Sequence, residues 1–185
     1  MDSSQSETQD PASRCEPLTT YTTAQTLINN LPYIAMTILG SAILLLGLGA
    51  SAWAWFTAVV YLLYGAAGAL WIMMFVCPYC HFWDTTACPC GYGTIAAHLR
   101  EKKDGDRFGE KFRKHIPVIV PLWIIPAMVG AVVVVRSFSW PLLGLLLLFA
   151  VDAFIILPLL SRKHGCVECP QKKTCPWMGS GERPA

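Results

Sequence analysis

Residues 31–76 read LPYIAMTILGSAILLLGLGASAWAWFTAVVYLLYGAAGALWIMMFV, 46 positions without a single Asp, Glu, Lys, Arg or His. As one helix this stretch would run roughly 70 Å at 1.5 Å per residue. A bilayer core is only about 30 Å thick, so the stretch must cross twice. The break falls at Gly47, Gly49 and Ser51, followed by Trp53 and Trp55, whose indoles suit the membrane–water boundary. The expected spans are therefore about Leu31 to Gly49 and about Ala52 to Val76. Ala50-Ser51-Ala52 has the look of a signal-peptide cleavage site. The run before it is too long for such a peptide and follows about thirty polar residues with one base, so no cleavage is expected.

A second apolar block, residues 116–160, is interrupted only by Arg136 and Asp152. Its break is Arg136-Ser137-Phe138-Ser139-Trp140-Pro141, where Ser139 can cap a helix and Pro141 can occupy its first turn. Pro117, Pro121 and Pro126 should loosen the first half of the third span, and neighbouring helices or water would have to satisfy the carbonyls they free. The small residues from Gly65 to Ala69 favour close helix contact. The fold expected is an all-α integral membrane protein of four transmembrane helices in two hairpins. Its parts are a polar tail (1–30, mostly disordered, with a short interfacial helix near Leu18 to Asn30), hairpin 1 (31–76), a Cys-rich basic loop (77–115), hairpin 2 (116–160) and a Cys-rich tail (161–185). Composition agrees: 54% of the 185 residues are hydrophobic and 14% charged, against about 25% charged in a soluble domain. A water-soluble enzyme is excluded, and a net charge of +2 gives no footing for nucleic-acid binding.

Charge then sets orientation. With four spans, the N-terminal tail, the central loop and the C-terminal tail share one face. That face carries 13 of the 14 Lys and Arg residues, Arg136 being the exception. By the positive-inside rule it is cytoplasmic, which makes the chain a multi-pass protein of the cell's inner (cytoplasmic) membrane with both termini inside.

All eight Cys lie on this same face. Cys15 stands alone and is taken as incidental. The other seven form two blocks, Cys77-Pro-Tyr-Cys80-His81 with Cys88-Pro-Cys90, and Cys166-Val-Glu-Cys169-Pro with Cys175-Pro. Cytosolic thiols stay reduced, so clustered ones read as metal ligands or redox groups rather than structural cystines. Cys77/Cys80 and Cys166/Cys169 have the spacing at which a tight turn converges two sulfurs on one soft ion. Antiparallel helices can bring the two blocks together into one four-sulfur site. Cys88, Cys90 and Cys175 would then remain for a second site, completed by His81, His98 or His164. Proline after a ligand Cys is familiar from ferredoxin-type clusters, which makes an iron–sulfur centre the leading expectation and zinc the alternative.

Two other chemistries fit parts of the pattern. Cys77-Pro-Tyr-Cys80-His81 matches the C-x-x-C-H attachment pattern of haem c, with His81 as axial ligand, but haem c is attached outside the cytoplasm. A C-P-Y-C dithiol relaying electrons with Cys166/Cys169 would make a membrane thiol–disulfide oxidoreductase, again with its thiols on the wrong side. Asp152, inside the fourth span with no basic residue among the spans' interior positions, is a candidate proton relay or quinone contact; Thr37 or Thr57 would partner it in a purely structural role.

The loop from Thr94 to His115 should form two short amphipathic helices divided at Asp104-Gly105-Asp106. Phe108, Phe112 and Ile116 would lie on one face and a Glu110–Lys114 pair on the other, the whole resting on lipid headgroups. No nucleotide-binding loop, paired carboxylates or Ser-His-Asp order is present. The function expected is one-electron transfer between a soluble redox donor and a membrane carrier, quinone or another membrane subunit. A zinc-stabilised assembly protein is the non-enzymatic alternative.

Overall fold

The computed structural model describes residues 20–49, 51–166 and 171, the side chains of 164–166 excepted, and all its regular structure is helical. Four of its helices are long and apolar enough to cross a membrane. The first, α1 (Thr23–Gly47), begins well before Leu31 because Thr22 and Gln25 form a capping box: Gln25 N donates to Thr22 Oγ1 at 3.3 Å and Thr22 N to Gln25 Oε1 at 2.9 Å. The segment expected as a separate interfacial helix is thus, from Thr23 onward, the first turns of α1.

The chain leaves α1 through Gly49, whose φ of 81° only glycine adopts without strain. It enters α2 (Ala52–Phe75) at Ser51, whose hydroxyl accepts from Ala54 N. Trp53 and Trp55 stand exposed in the first turn of α2. Two short helices follow, α3 (Tyr92–Leu99) and α4 (Phe108–His115), divided by a 3-10 turn at Gly105–Arg107 with Asp104 Oδ1 capping Asp106 N at 3.0 Å. Next come α5 (Pro121–Arg136) and α6 (Trp140–Val151). Ser139 holds the N-cap position of α6 without a side-chain cap bond, and Pro141 lies in the first turn. The last helix continues through a π-helical turn at Asp152–Ile156, α7 (Leu157–Leu160) and a second π-helical stretch, Ser161–Cys166.

Helix α1 packs against α2, α5 and α6, and α5 against α6. The buried core is Met36, Ile43 and Leu44 of α1, Tyr61 of α2, Leu122 of α5, Leu142 and Phe149 of α6, and Ala153. Gly40 permits the closest approach, since a Cβ there would collide with the Tyr61 ring.

In the last two long helices, three carbonyls left open at or near prolines are each taken by an aromatic donor from another helix. Pro126 has no N–H for Leu122 O four residues back, and the Tyr61 hydroxyl donates to that oxygen at 2.7 Å. Around Pro117 and Pro121 the chain tightens into 3-10 turns, Leu122 N turns to Ile119 O, and the hydroxyl of Tyr64 donates to the released Val118 O. Pro158 acts on the last helix. In the π register Leu157 N bonds Asp152 O, so the next carbonyl, Ala153 O, would need the N–H that Pro158 lacks. Trp123 Nε1 donates to Ala153 O at 3.1 Å. Within a bilayer no water reaches such carbonyls, so these bonds hold the helices together while keeping the backbone satisfied.

The large apolar side chains left outward, among them Leu31, Ile38, Leu63, Met128, Val135 and Leu147, form the lipid-facing surface of a multi-pass membrane protein.

A cysteine-rich loop at one end of the bundle

Hydrogen bonds place the start of α1, the end of α2 and the loop between α2 and α5 at one end of the bundle. Asn29 Nδ2 donates to Pro89 O and Asn30 Nδ2 to Cys90 O, both at 2.9 Å, and Tyr21 N donates to Thr86 O at 2.9 Å. Lys103 N reaches back to Pro78 O at 2.8 Å. The loop is therefore stitched both to α1 and to itself.

Four of the seven clustered cysteines fall here. Cys77 to Tyr79 form a 3-10 turn at the end of α2, with Pro78 in its first positions and Cys80 N closing onto Cys77 O at 3.0 Å. A second turn, closed by Gly91 N on Cys88 O, carries Cys88 and Cys90. Gly91, at φ 69°, then opens α3. Gly93 seats the start of α3 on the segment between the two turns: a Cβ there would run into Phe82 O, while Gly93 N donates to Cys88 Sγ at 3.3 Å and Gly93 O accepts from Asp84 N at 3.2 Å. All four thiols are half-buried, and Cys77 and Cys88 are free thiols. Cys77 lies within electrostatic reach of Cys80, Cys88 and Cys90. Tyr92 closes the group from α3; burial first, then Cys90, Tyr33, Cys77 and Cys88 beside it, push its phenol far above the usual tyrosine range.

The structure gathers Cys77 and Cys80 with Cys88 and Cys90. The side chain of Cys166 and the whole of Cys169, Cys175 and Cys15 lie outside the described residues. Among the described residues no three His, Cys, Asp or Glu side chains form a group that could hold a metal ion.

The tail is nonetheless represented at this site. The carboxamide of Gln171 accepts from His81 N at 2.9 Å and donates to Tyr79 O at 3.1 Å and to Gly105 O at 3.0 Å. It therefore bonds the turn between Cys77 and His81 and ties that turn to the start of the 3-10 segment before α4. In sequence Gln171 stands two positions after Cys169 and four before Cys175. Nothing in residue type or spacing had singled it out.

The candidate histidines take other partners. His81 sets its ring edge-on against Phe82. His98 is exposed, with Nδ1 2.8 Å from Thr94 O of its own helix. The side chain of His164 lies outside the described residues.

Phe108 and Phe112 of α4 pack on Val76, Ile72, Tyr79 and Cys80, so this face of α4 supports the first cysteine turn. Glu110 pairs with Arg107 and Lys111, each at 3.3 Å, and not with Lys114, because the Arg107 guanidinium reaches forward one turn with both Nε and Nη2.

Asp152 lies in the last span with Oδ2 buried and without a hydrogen-bond partner. Neither threonine serves it: Thr37 donates to Ile34 O and Thr57 to Trp53 O, each within its own helix. No family model, no curated protein and no solved structure matches the chain, so its function must be read from these residues.

Proposed function

We propose that this is a multi-pass protein of the cytoplasmic membrane whose Cys-rich end faces the cytoplasm. There it holds a thiolate-ligated iron–sulfur centre that passes single electrons between a soluble donor and a carrier in the membrane, a quinone or a partner subunit. The observation that carries the reading is Gln171, whose carboxamide bonds Tyr79 O and His81 N on either side of Cys80 and so brings a residue of the tail, two positions after Cys169 and four before Cys175 in sequence, to the loop that carries the first cysteine block. The clustering of 13 of 14 basic residues in the segments of that end supports its cytoplasmic side, where thiols are reduced and available as ligands.

The loop thiols alone do not form a closed site, so a four-sulfur centre would draw on their movement together or on sulfurs from the tail. Cys77, Cys80, Cys88 and Cys90 are the ligands assigned to the loop, and Cys166, Cys169 and Cys175 those assigned to the tail. An iron–sulfur centre would supply one-electron chemistry; the chain supplies the ligands, excludes water with Tyr92 and Phe108, and positions the tail.

Metal analysis and absorption of anaerobically purified protein test this. Iron with acid-labile sulfide and a broad band near ~400 nm, lost together in Cys77→Ser and in Cys175→Ser, is the expected result. Stoichiometric zinc in a colourless protein would establish the structural-clamp alternative instead. A metal-free protein in which Cys77 and Cys80 cycle with a disulfide would make it a thiol oxidoreductase.

A further inference from the structure

Two buried side-chain atoms among the described residues lack a hydrogen-bond partner: Trp71 Nε1, near the loop end, and Asp152 Oδ2. The second is the more consequential. Asp152 is 8% exposed and lies between Trp140 and Lys163, the bounds of the last candidate span, roughly 16–18 Å from either end at 1.5 Å per residue. Other polar side chains of the bundle have partners. Tyr61 bonds Leu122 O, Trp123 bonds Ala153 O, Ser41 bonds Ala58 O, and Thr37 bonds its own helix. The carbonyl that Pro158 frees beside Asp152 is taken by Trp123 and leaves the carboxyl without a structural task.

The elements packed on this turn are α1, α6, α7 and, through Trp123, α5. Their titratable or charged residues are Tyr33, whose hydroxyl is donated to Gly65 O, and Arg136, at the far end of α5. A carboxylate here would thus have neither a donor nor a counter-charge, a situation that costs several kcal/mol inside a bilayer. A leucine or alanine would fill the position without that cost. The wide π-helical turn is the kind of local irregularity that recurs at functional sites in helices.

We propose that Asp152 is a proton-binding site inside the membrane-spanning bundle, taking up and releasing a proton independently of any centre at the cysteine-rich end. The ligand is the proton, and the site is also open to an apolar reagent specific for protonated carboxyls.

The test uses the full-length protein in liposomes with dicyclohexylcarbodiimide. Expected is one adduct on the peptide containing Asp152, formed at neutral pH and slowing at least tenfold as the pH is raised from about 6 to about 10. It should be absent from Asp152→Asn and present in Asp152→Glu. Folding of Asp152→Asn and Asp152→Leu is followed by helicity and thermal unfolding, and both should match the parent. The proposal is overturned if Asp152 in the folded protein takes no label, or takes it at a rate that ignores pH. It is equally overturned if both the Asn and Leu variants fail to fold, because the carboxyl would then be structural.

Discussion

Tyr61→Phe removes one oxygen atom and isolates the claim that aromatic donors serve the carbonyls prolines have freed. Tyr61 is 4% exposed and Leu122 fully buried, so no solvent replaces the lost 2.7 Å bond. The ring stays in the notch that Gly40 leaves. Stranding a buried acceptor costs about 1–3 kcal/mol in a soluble protein. Interhelical bonds in a membrane average about 0.6 kcal/mol and reach about 1.7, because the unfolded chain in lipid also finds partners. With no alternative donor from Pro126, the upper part of the membrane range applies, and Tyr61→Phe should cost about 1–1.7 kcal/mol. Pro126→Ala supplies the missing N–H to Leu122 O, so in that background the same substitution should cost less than about 0.5 kcal/mol, a coupling of about 1 kcal/mol. The assay is reversible unfolding by SDS titration in mixed micelles, followed by far-ultraviolet circular dichroism, for the four proteins of the cycle. Equal costs in the two backgrounds, within about 0.3 kcal/mol, would refute the reasoning, since the hydroxyl would then not be serving the carbonyl that proline leaves open.

Gln171→Ala should release the tail, and maleimide labelling of Cys169 and Cys175 should quicken by up to about 150-fold for the loss of three bonds worth about 1 kcal/mol each; Gln171→Glu, unable to donate to Tyr79 O and Gly105 O, should quicken it by about 30-fold. Gly93→Ala sets a methyl against Phe82 O, so it should unseat the second cysteine turn, and hydrogen exchange at the Asp84 amide should accelerate more than tenfold while the helices α1 and α2 stay protected. Tyr92 keeps its proton in the fold well past the point at which an unfolded tyrosine loses it, near pH ~10. Above that pH the folded state binds more protons than the unfolded, so stability falls as pH rises. Tyr92→Phe should flatten that fall in unfolding titrations between about pH 9 and about pH 12.

The long helices were legible because a bilayer would impose its length on the sequence: 46 positions without Asp, Glu, Lys, Arg or His are too many for one crossing and suit two. Helix ends were legible where turn chemistry is local, as at Gly49 and Ser51. The true start of α1 was also written locally, in Thr22-Thr-Ala-Gln25, but a criterion of apolarity passes over a polar capping box. What could not be read is whatever depends on the relative register of helices. The need for donors near Pro117, Pro121 and Pro126 follows from proline's chemistry; that Tyr61 and Tyr64 meet it is fixed only by how α2 lies on α5. The same limit governs the cysteines. Spacing marked Cys77/Cys80 and Cys166/Cys169 as candidate pairs, but that Cys77 and Cys80 lie near Cys88 and Cys90 is decided by the path of the loop. A glycine with a carbonyl against it and two asparagines on another helix set that path, and none of these carries the mark of a ligand.

The way the loop is fastened yields a test between the proposed redox centre and the zinc clamp. In a zinc-clamped loop the metal supplies the folding free energy, and stripping it melts the segment. Here the cysteine turns are held by bonds that involve no thiol as ligand: Asn29 and Asn30 to the carbonyls of Pro89 and Cys90, Tyr21 N to Thr86 O, Lys103 N to Pro78 O, and Gln171 to Tyr79 O and His81 N. Phe108 against Val76 adds a small apolar floor. At about 0.5–1.5 kcal/mol for each bond, these ties amount to several kcal/mol against local opening. If the proposed centre completes its ligands from the tail, a loop so fastened would keep its shape without the centre and change little as the centre gained or lost an electron, which would lower the cost of each transfer. Anaerobic chelation followed by hydrogen exchange should therefore abolish any absorption of the centre while leaving protection at the amides of Tyr21, Cys80, Gly91 and Lys103 within about tenfold of the untreated protein. Collapse of that protection on chelation would show that metal, rather than these hydrogen bonds, holds the loop, and would turn the reading from electron transfer to a zinc clamp.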